Sequence, residues 1–196
     1  MKSSELLKKT RLRRETAIED AIMEHPEILG FPRALAIRNC RISMPTGRVD
    51  VVLLPRYGSV RLVLIEAKAS LAQDAASKVV GQLLMYYAGA LMLGSAGVHA
   101  LQDFAIKHPE RAQSTSWISP KMLSDGISPP AKAFEALYQG RRLTPSEVYL
   151  FVALDGEAHR ALEPTLLALR EHHHLHIGLV LVRGGQIERV SRPDSG

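Results

Sequence analysis

Three charged residues stand inside otherwise apolar runs. Asp50 interrupts Val49-Asp50-Val51-Val52-Leu53-Leu54, while Glu66 and Lys68 close Leu62-Val63-Leu64-Ile65-Glu66-Ala67-Lys68. A carboxylate in such surroundings is costly unless its charge is compensated. Strand alternation sets Glu66 and Lys68 on one face and turns Ala67 to the other. If the two runs form a hairpin closing about Gly58, Leu54 faces Leu62, Val52 faces Leu64, and Asp50 faces Glu66. Carboxylates paired in this way, with Cβ atoms roughly 5 Å apart, repel unless a cation lies between them. Neither a thiolate set nor a histidine set is available, so the expected cation is a hard divalent ion with oxygen ligands, Mg2+ or Mn2+. Such an ion suits phosphodiester hydrolysis. It polarises a phosphoryl oxygen and lowers the pKa of the attacking water, while the Lys68 ammonium adds positive charge beside the reacting centre. The competing structural account makes Asp50 the cap of a strand and Glu66–Lys68 a salt bridge at the sheet rim.

These residues need elements to hold them. Apolar spacing at Ile18, Ala21 and Ile22 predicts a helix from about Leu12 to His25, ended by Pro26. Gly and Pro mark residues 30–38, with a short strand expected near Cys40–Ser43 and a turn at Pro45-Thr46-Gly47. Val49–Leu54 and Val60–Ala67 read as antiparallel strands whose continuous apolarity implies burial on both faces. A helix over about Asp74–Leu93 is expected to cover them. Residues 94–145, punctuated by Gly and Pro, read as a mostly helical insertion with short helices near Leu101–Lys107 and Ala131–Tyr138. Order returns with a strand at Glu147–Leu154, a helix at Glu157–His172, and strands at His176–Arg183 and Gln186–Val190 around Gly184-Gly185. The fold class expected is α/β, a mixed central sheet flanked by helices in a single domain over 1–196.

Asp50 followed by Glu66-Ala67-Lys68 resembles the signature of the PD-(D/E)XK nuclease superfamily, whose fold is restriction-endonuclease-like. Arg48-Val49-Asp50 stands where that family's Pro-Asp often does. Arg14-Glu15-Thr16-Ala17-Ile18, His25-Pro26-Glu27-Ile28-Leu29-Gly30 and Gly47-Arg48-Val49-Asp50 are similar to the branch holding the archaeal and actinobacterial mismatch-directed endonucleases. The resemblance covers about residues 12–93. It implies a metal held by Asp50, Glu66 and Ala67. It also implies catalytic roles for Glu15 on the first helix, for Asp50, Glu66 and Lys68, and for Gln82 and Tyr86, which share one face of the following helix. Glu19 lies beside Glu15 by helix geometry, and the residues alone do not choose between them. The implied activity is a Mg2+- or Mn2+-dependent endonuclease acting on DNA. The alternative is a catalytically inactive DNA-binding or structural subunit with the same fold. The segment 94–145 departs from the compact branch, and that branch's separate DNA-binding domain has no counterpart here.

The chain carries a formal charge of +5 over 196 residues, and the excess lies at one end. Through residue 14 there are six basic residues against Glu5, while the other 182 residues hold 19 basic and 19 acidic. Lys8, Lys9, Arg11, Arg13 and Arg14 of this arm are candidate phosphate contacts. Arg48 and Lys78 join them, Lys78 standing four residues before Gln82. The one cysteine, Cys40, rules out an internal disulfide and reads as a small buried hydrophobe. Without a secretory leader or a run long enough to span a bilayer, a cytoplasmic protein with no membrane partner is expected. A duplex-cleaving unit of this size is expected to work as a homodimer on DNA. His172, His173, His174 and His176 sit at a helix end, where consecutive side chains do not converge, so no metal is assigned there. Trp117 and Phe104 suit either a core or a partner surface. Serine- or cysteine-hydrolase and nucleotide-loop patterns are absent.

Overall fold

The computed structural model describes residues 2–42, 47–69, 75–113, 133–135, 137, 140–156 and 161–193. At its centre is a seven-stranded sheet in the order β4-β1-β2-β3-β5-β6-β7. The strands are β1 (Leu35–Arg41), β2 (Arg48–Leu54), β3 (Leu62–Ala69), β4 (Ala112–Gln113), β5 (Val148–Asp155), β6 (Ile177–Arg183) and β7 (Gln186–Ser191). β3, β5 and β6 run parallel, and the outer pairings are antiparallel. Among the described residues, the helices α1 (Lys2–Glu24), α2 (Ala75–Leu91), α3 (Ser95–Lys107) and α4 (Leu162–His173) cover the sheet. The chain is thus an α/β protein with a mixed central sheet flanked by helices.

The sheet is buried on both faces, as its unbroken Val, Leu and Ile runs require. One face packs Leu35, Val52, Leu64 and Val152 against α2, α3 and α4. The other packs Val51, Ile65, Ala67 and Phe151 against Ile18 and Ile22 of α1. The β2–β3 hairpin has the register expected from a turn about Gly58, with Val52 opposite Leu64 and Val51 opposite Ile65. Ala67 belongs to the α1 side, opposite to Leu62 and Leu64, in keeping with alternation. Gly178 in β6 is required by close approach, since a Cβ there would meet Ser191 O at 2.5 Å and Phe151 Cε1 at 2.6 Å.

Several elements differ from the sequence reading. The first helix begins at Lys2, ten residues before Leu12, so the basic arm is the first half of α1. From Glu5 to Arg14 its side chains are exposed, Leu6, Leu7 and Leu12 among them. It is held instead by good helix formers and by the Arg11–Glu15 pair at 3.0 Å, one turn apart. β1 begins at Leu35, inside the stretch read as a loop, because the Gly and Pro signals end by Arg33 and Leu35-Ala36-Ile37 are fully buried. α3 starts at Ser95, six residues before the Leu101 expected, and runs for 13 residues. Together with Phe134 and Leu137 it fills the main core, and β4 extends the sheet beyond β1. The described part of 94–145 is therefore built into the fold. Pro45, Thr46, Trp117 and residues 157–160 lie outside the described residues, as does part of the helix read at 131–138, of which 133–135 and 137 are helical.

Candidate active site

β2 and β3 pair through Val51–Ile65, and the next step of the hairpin is taken over by a side chain. Asp50 Oδ2 accepts the Ala67 N–H at 2.8 Å. On the neighbouring position of β3, Glu66 is buried, and Lys68 Nζ donates to its Oε1 at 2.5 Å. The same ammonium lies 3.8 Å from Asp50 Oδ2. Glu66 and Lys68 therefore share a face, and Asp50 joins them across the hairpin. The three residues brought together by pattern alone are one cluster.

The cluster is strongly asymmetric. The Glu66 side chain is 1% exposed, Lys68 15% and Asp50 24%, so Asp50 forms the open side. Burial, and next the Asp50 charge, push the Glu66 carboxyl up to about 8. Burial also raises Asp50, against the opposing pull of Lys68 and the Ala67 N–H. Burial on its own would lower Lys68, but the Glu66 carboxylate, followed by Asp50 and Glu15, carries it above the usual lysine value. Lys68 is thus a fixed cation at neutral pH. Glu66 Oε2 is buried without a hydrogen-bond partner. An orphaned buried carboxylate oxygen beside a second carboxylate is what a hard cation satisfies.

α1 and α2 close the site from opposite sides. From α1, Glu15 Oε1 accepts from Ala69 N at 3.4 Å, at the end of β3, and from Arg11 Nε at 3.0 Å. One turn on, Glu19 pairs with Arg38 Nε of β1 at 3.1 Å, and Arg38 also binds Asp20. Burial and the Asp50 charge push Glu19 up to about 7. From α2, the Tyr86 hydroxyl donates to Arg48 O at 2.8 Å, pinning the start of β2 next to Asp50. A Cβ on Gly47 would stand 3.3 Å from that hydroxyl. Burial, then the charges of Glu66 and Asp50, push Tyr86 up to about 12, partly offset by a hydrogen bond with Gln82. Gln82 thus meets the Tyr86 hydroxyl, as side chains four residues apart on one helix face can.

Glu19 and Arg38 make a larger contribution than the sequence reading assigned. Glu19 was only an alternative to Glu15, and Arg38 was not singled out because the strand expected near Cys40–Ser43 begins at Leu35. Lys8, Lys9, Arg13 and Arg48 are exposed, Arg14 pairs with Asp155 at 3.1 Å, and Lys78 is exposed near the start of α2. Cys40 is buried, its thiol pushed up to about 12 by burial. Phe104 packs against the core edge and lies near the His108 ring. The histidines do not assemble: His174 forms the left-handed end of α4 and His176 stacks on Tyr149 at 4.8 Å.

Among the described residues no group of three or more His, Cys, Asp or Glu side chains is placed to hold a metal ion. Asp50 and Glu66 form a two-carboxylate centre to which Ala67 can add only its main-chain carbonyl. That donor set fits Mg2+ or Mn2+, which take one or two carboxylates and retain water, and does not fit a closed zinc site. No single helix among the described residues is long and apolar enough to cross a membrane. No family model, curated protein or solved structure matches the chain.

Proposed function

We propose that the chain is a Mg2+- or Mn2+-dependent endonuclease that hydrolyses phosphodiester bonds in DNA, on a restriction-endonuclease-like core. The observation that carries this reading is Glu66 Oε2, buried and unpartnered beside Asp50 and Lys68. Asp50, Glu66 and the Ala67 carbonyl would hold the ion. Bound there, it would polarise a phosphoryl oxygen and acidify water.

The remaining work falls to the chain's own groups. Lys68, protonated at neutral pH by its carboxylate neighbours, stabilises negative charge on the phosphoryl group and is unsuited to act as a base. Glu19, raised to about 7, titrates where a base for water is useful. Tyr86 stays neutral and fixes the strand that carries Asp50. The basic first half of α1 supplies phosphate contacts without sequence preference. We further read the protein as a cytoplasmic homodimer on DNA.

The decisive experiment pairs calorimetry of Mn2+ binding with single-turnover cleavage of labelled single-stranded, duplex and mismatched DNA. Lys68→Ala should keep metal affinity and lose about a hundredfold in rate. Glu66→Ala should lose both. Cleavage by Lys68→Ala at the wild-type rate would leave Lys68 as the cation of a salt bridge and remove the chemical centre. The tight Lys68–Glu66 contact favours a second reading, a non-cleaving DNA-binding subunit, which predicts DNA binding with no cleavage in any metal.

A further inference from the structure

α2 is apolar on both of its sides. Val79, Leu83, Tyr86 and Ala90 recur at helical spacing and are buried in the core on one side of the sheet. On the opposite side Gly81, Met85, Ala88 and Met92 make a second stripe, at steps of four, three and four residues, and all four are exposed. Met92 still follows the helical path, its N–H donating to Ala88 O at 3.2 Å. Met85 is 53% exposed and Met92 70%. From Val79 to Gln102 the chain has no Asp, Glu, Lys or Arg, although 23% of its residues are charged. A surface helix ordinarily turns charged residues to water, and one that is apolar all round is covered on both sides.

The outer stripe carries its own complement. Its steps are those of a coiled-coil seam, and two such helices laid antiparallel about a two-fold axis set each seam position opposite one of the other kind. With the axis between Tyr86 and Tyr87, Met85 falls on Ala88 of the partner subunit and Met92 on Gly81 of the partner subunit. Each methionine thus meets a small residue, and the bulky side chains fill the space that glycine and alanine leave. Laid parallel, the stripes would set methionine on methionine and glycine on glycine, crowding the helices at one turn and parting them at the next. The stripe offers no charge to an ionic partner, and two copies would bury none unpaired. A Cβ on Gly81 would have nothing within 4 Å, so the position is open to another chain. A seam about 18 Å long buries less than the roughly 800 Å² per partner of a standard interface, which suits a dimer that dissociates in the micromolar range.

We propose that the outer face of α2 is a dimerisation seam, occupied by the same face of a second copy of this chain running antiparallel. The inference rests on the homodimer reading, to which it gives a surface, and is independent of the nuclease reading. It also ties assembly to the candidate site. Tyr86, next to Met85 on the inner side of the same helix, donates to Arg48 O beside Asp50. A partner that fixes α2 therefore fixes the strand end that carries Asp50.

Sedimentation equilibrium of the full chain over a range of concentrations reads the assembly, with far-UV circular dichroism to check folding. Met85→Glu sets two carboxylates close to the two-fold axis, and Gly81→Leu fills the hollow that takes Met92. Each should weaken the dimer at least about tenfold, while Leu167→Glu, at an exposed position on α4, should leave it within about twofold. Disulfide trapping reads the direction. Chains carrying Met92→Cys and chains carrying Gly81→Cys should cross-link when mixed, and Met92→Cys alone should not, because antiparallel packing holds its two copies roughly 16 Å apart. The native Cys40 is buried and does not compete. A wild-type chain that stays monomeric overturns the seam and the homodimer reading together, and its capture by phosphatidylglycerol vesicles would give this face to a lipid surface instead. A dimer that neither Met85→Glu nor Gly81→Leu weakens overturns the seam alone, as does self-cross-linking of Met92→Cys. Should either variant fail to fold, the mixed cross-link still decides.

Discussion

The Ala67 N–H donates to the side chain of Asp50, at 2.8 Å, one step beyond the last β2–β3 ladder pair. One carboxylate thereby holds the hairpin together and faces the open side of the site. The two duties separate by substitution, because a neutral amide can still accept the N–H.

Asp50→Asn is expected to fold with nearly wild-type stability and to lose metal affinity. Asp50→Ala should lose the affinity and also about 1–3 kcal/mol, by leaving a buried N–H unpaired. Urea denaturation beside Mn2+ calorimetry separates them. Equal stability losses for the two variants would show that the N–H finds another acceptor.

Glu66 titrates near 8 and Glu19 near 7 in the folded chain, against an ordinary value of 4.5. Both carboxyls therefore bind protons more tightly folded than unfolded. The stability they contribute is complete below about pH 4.5 and falls as pH rises through about 7 and 8. Glu147 works in the opposite direction. Hydrogen bonds from Arg141, then from Thr144 and Arg61, hold it below the usual range despite burial, so its contribution is lost on acidification. The metal-free protein should be most stable on the acid side of neutrality. Urea midpoints from about pH 5 to about pH 8.5 should fall, and Mg2+ should restore the alkaline loss by replacing the proton on Glu66. A midpoint that rises steadily across that range contradicts the assignment.

Arg38 lowers the Glu19 carboxyl while holding it at 3.1 Å. Arg38→Ala should raise the Glu19 pKa further and cost roughly 1–3 kcal/mol, since it strips the partner from a largely buried acid. Carbon-detected NMR titration reads the first effect. In cleavage, the acid limb of the pH–rate profile should move to higher pH, and Glu19→Gln should flatten that limb.

The exposed lysines and arginines of the first half of α1 predict a salt-dependent component of DNA binding. Replacing Lys8, Lys9 and Arg13 together by Ala should reduce the slope of log affinity against log salt by about 2 to 3, with folding stability unchanged. An unaltered slope would make this half of the helix a solvated surface only.

Much of the centre was legible because strand geometry is rigid. Fixing the turn at Gly58 determined which residues of β2 and β3 meet, and alternation determined that Ala67 leaves the face shared by Glu66 and Lys68. Gln82 and Tyr86 were singled out by the family resemblance alone, and helix spacing adds only that they share one face. Periodicity found the second half of α1 through Ile18, Ala21 and Ile22 but not the turns before Leu12, where Leu6 and Leu7 are exposed and no apolar stripe continues. It failed again at β1, where the loop signals of Gly30 and Pro32 overshadowed Leu35–Ile37. Starting that strand only near Cys40 left out Arg38, and with it the ion pair that holds Glu19 beside Asp50.

Because α1 is one unbroken helix of 23 residues, its basic half and the pair Glu15 and Glu19 are parts of a single rigid rod. At about 1.5 Å per residue, the cations at Lys8 and Lys9 stand roughly 10 Å along the axis from Glu15. A strand gripped by those cations would be measured against the cutting centre as against a ruler. The incision should then fall a constant few nucleotides from the gripped phosphates, and inserting one helical turn between Arg13 and Glu15 should displace it by a step instead of blurring it.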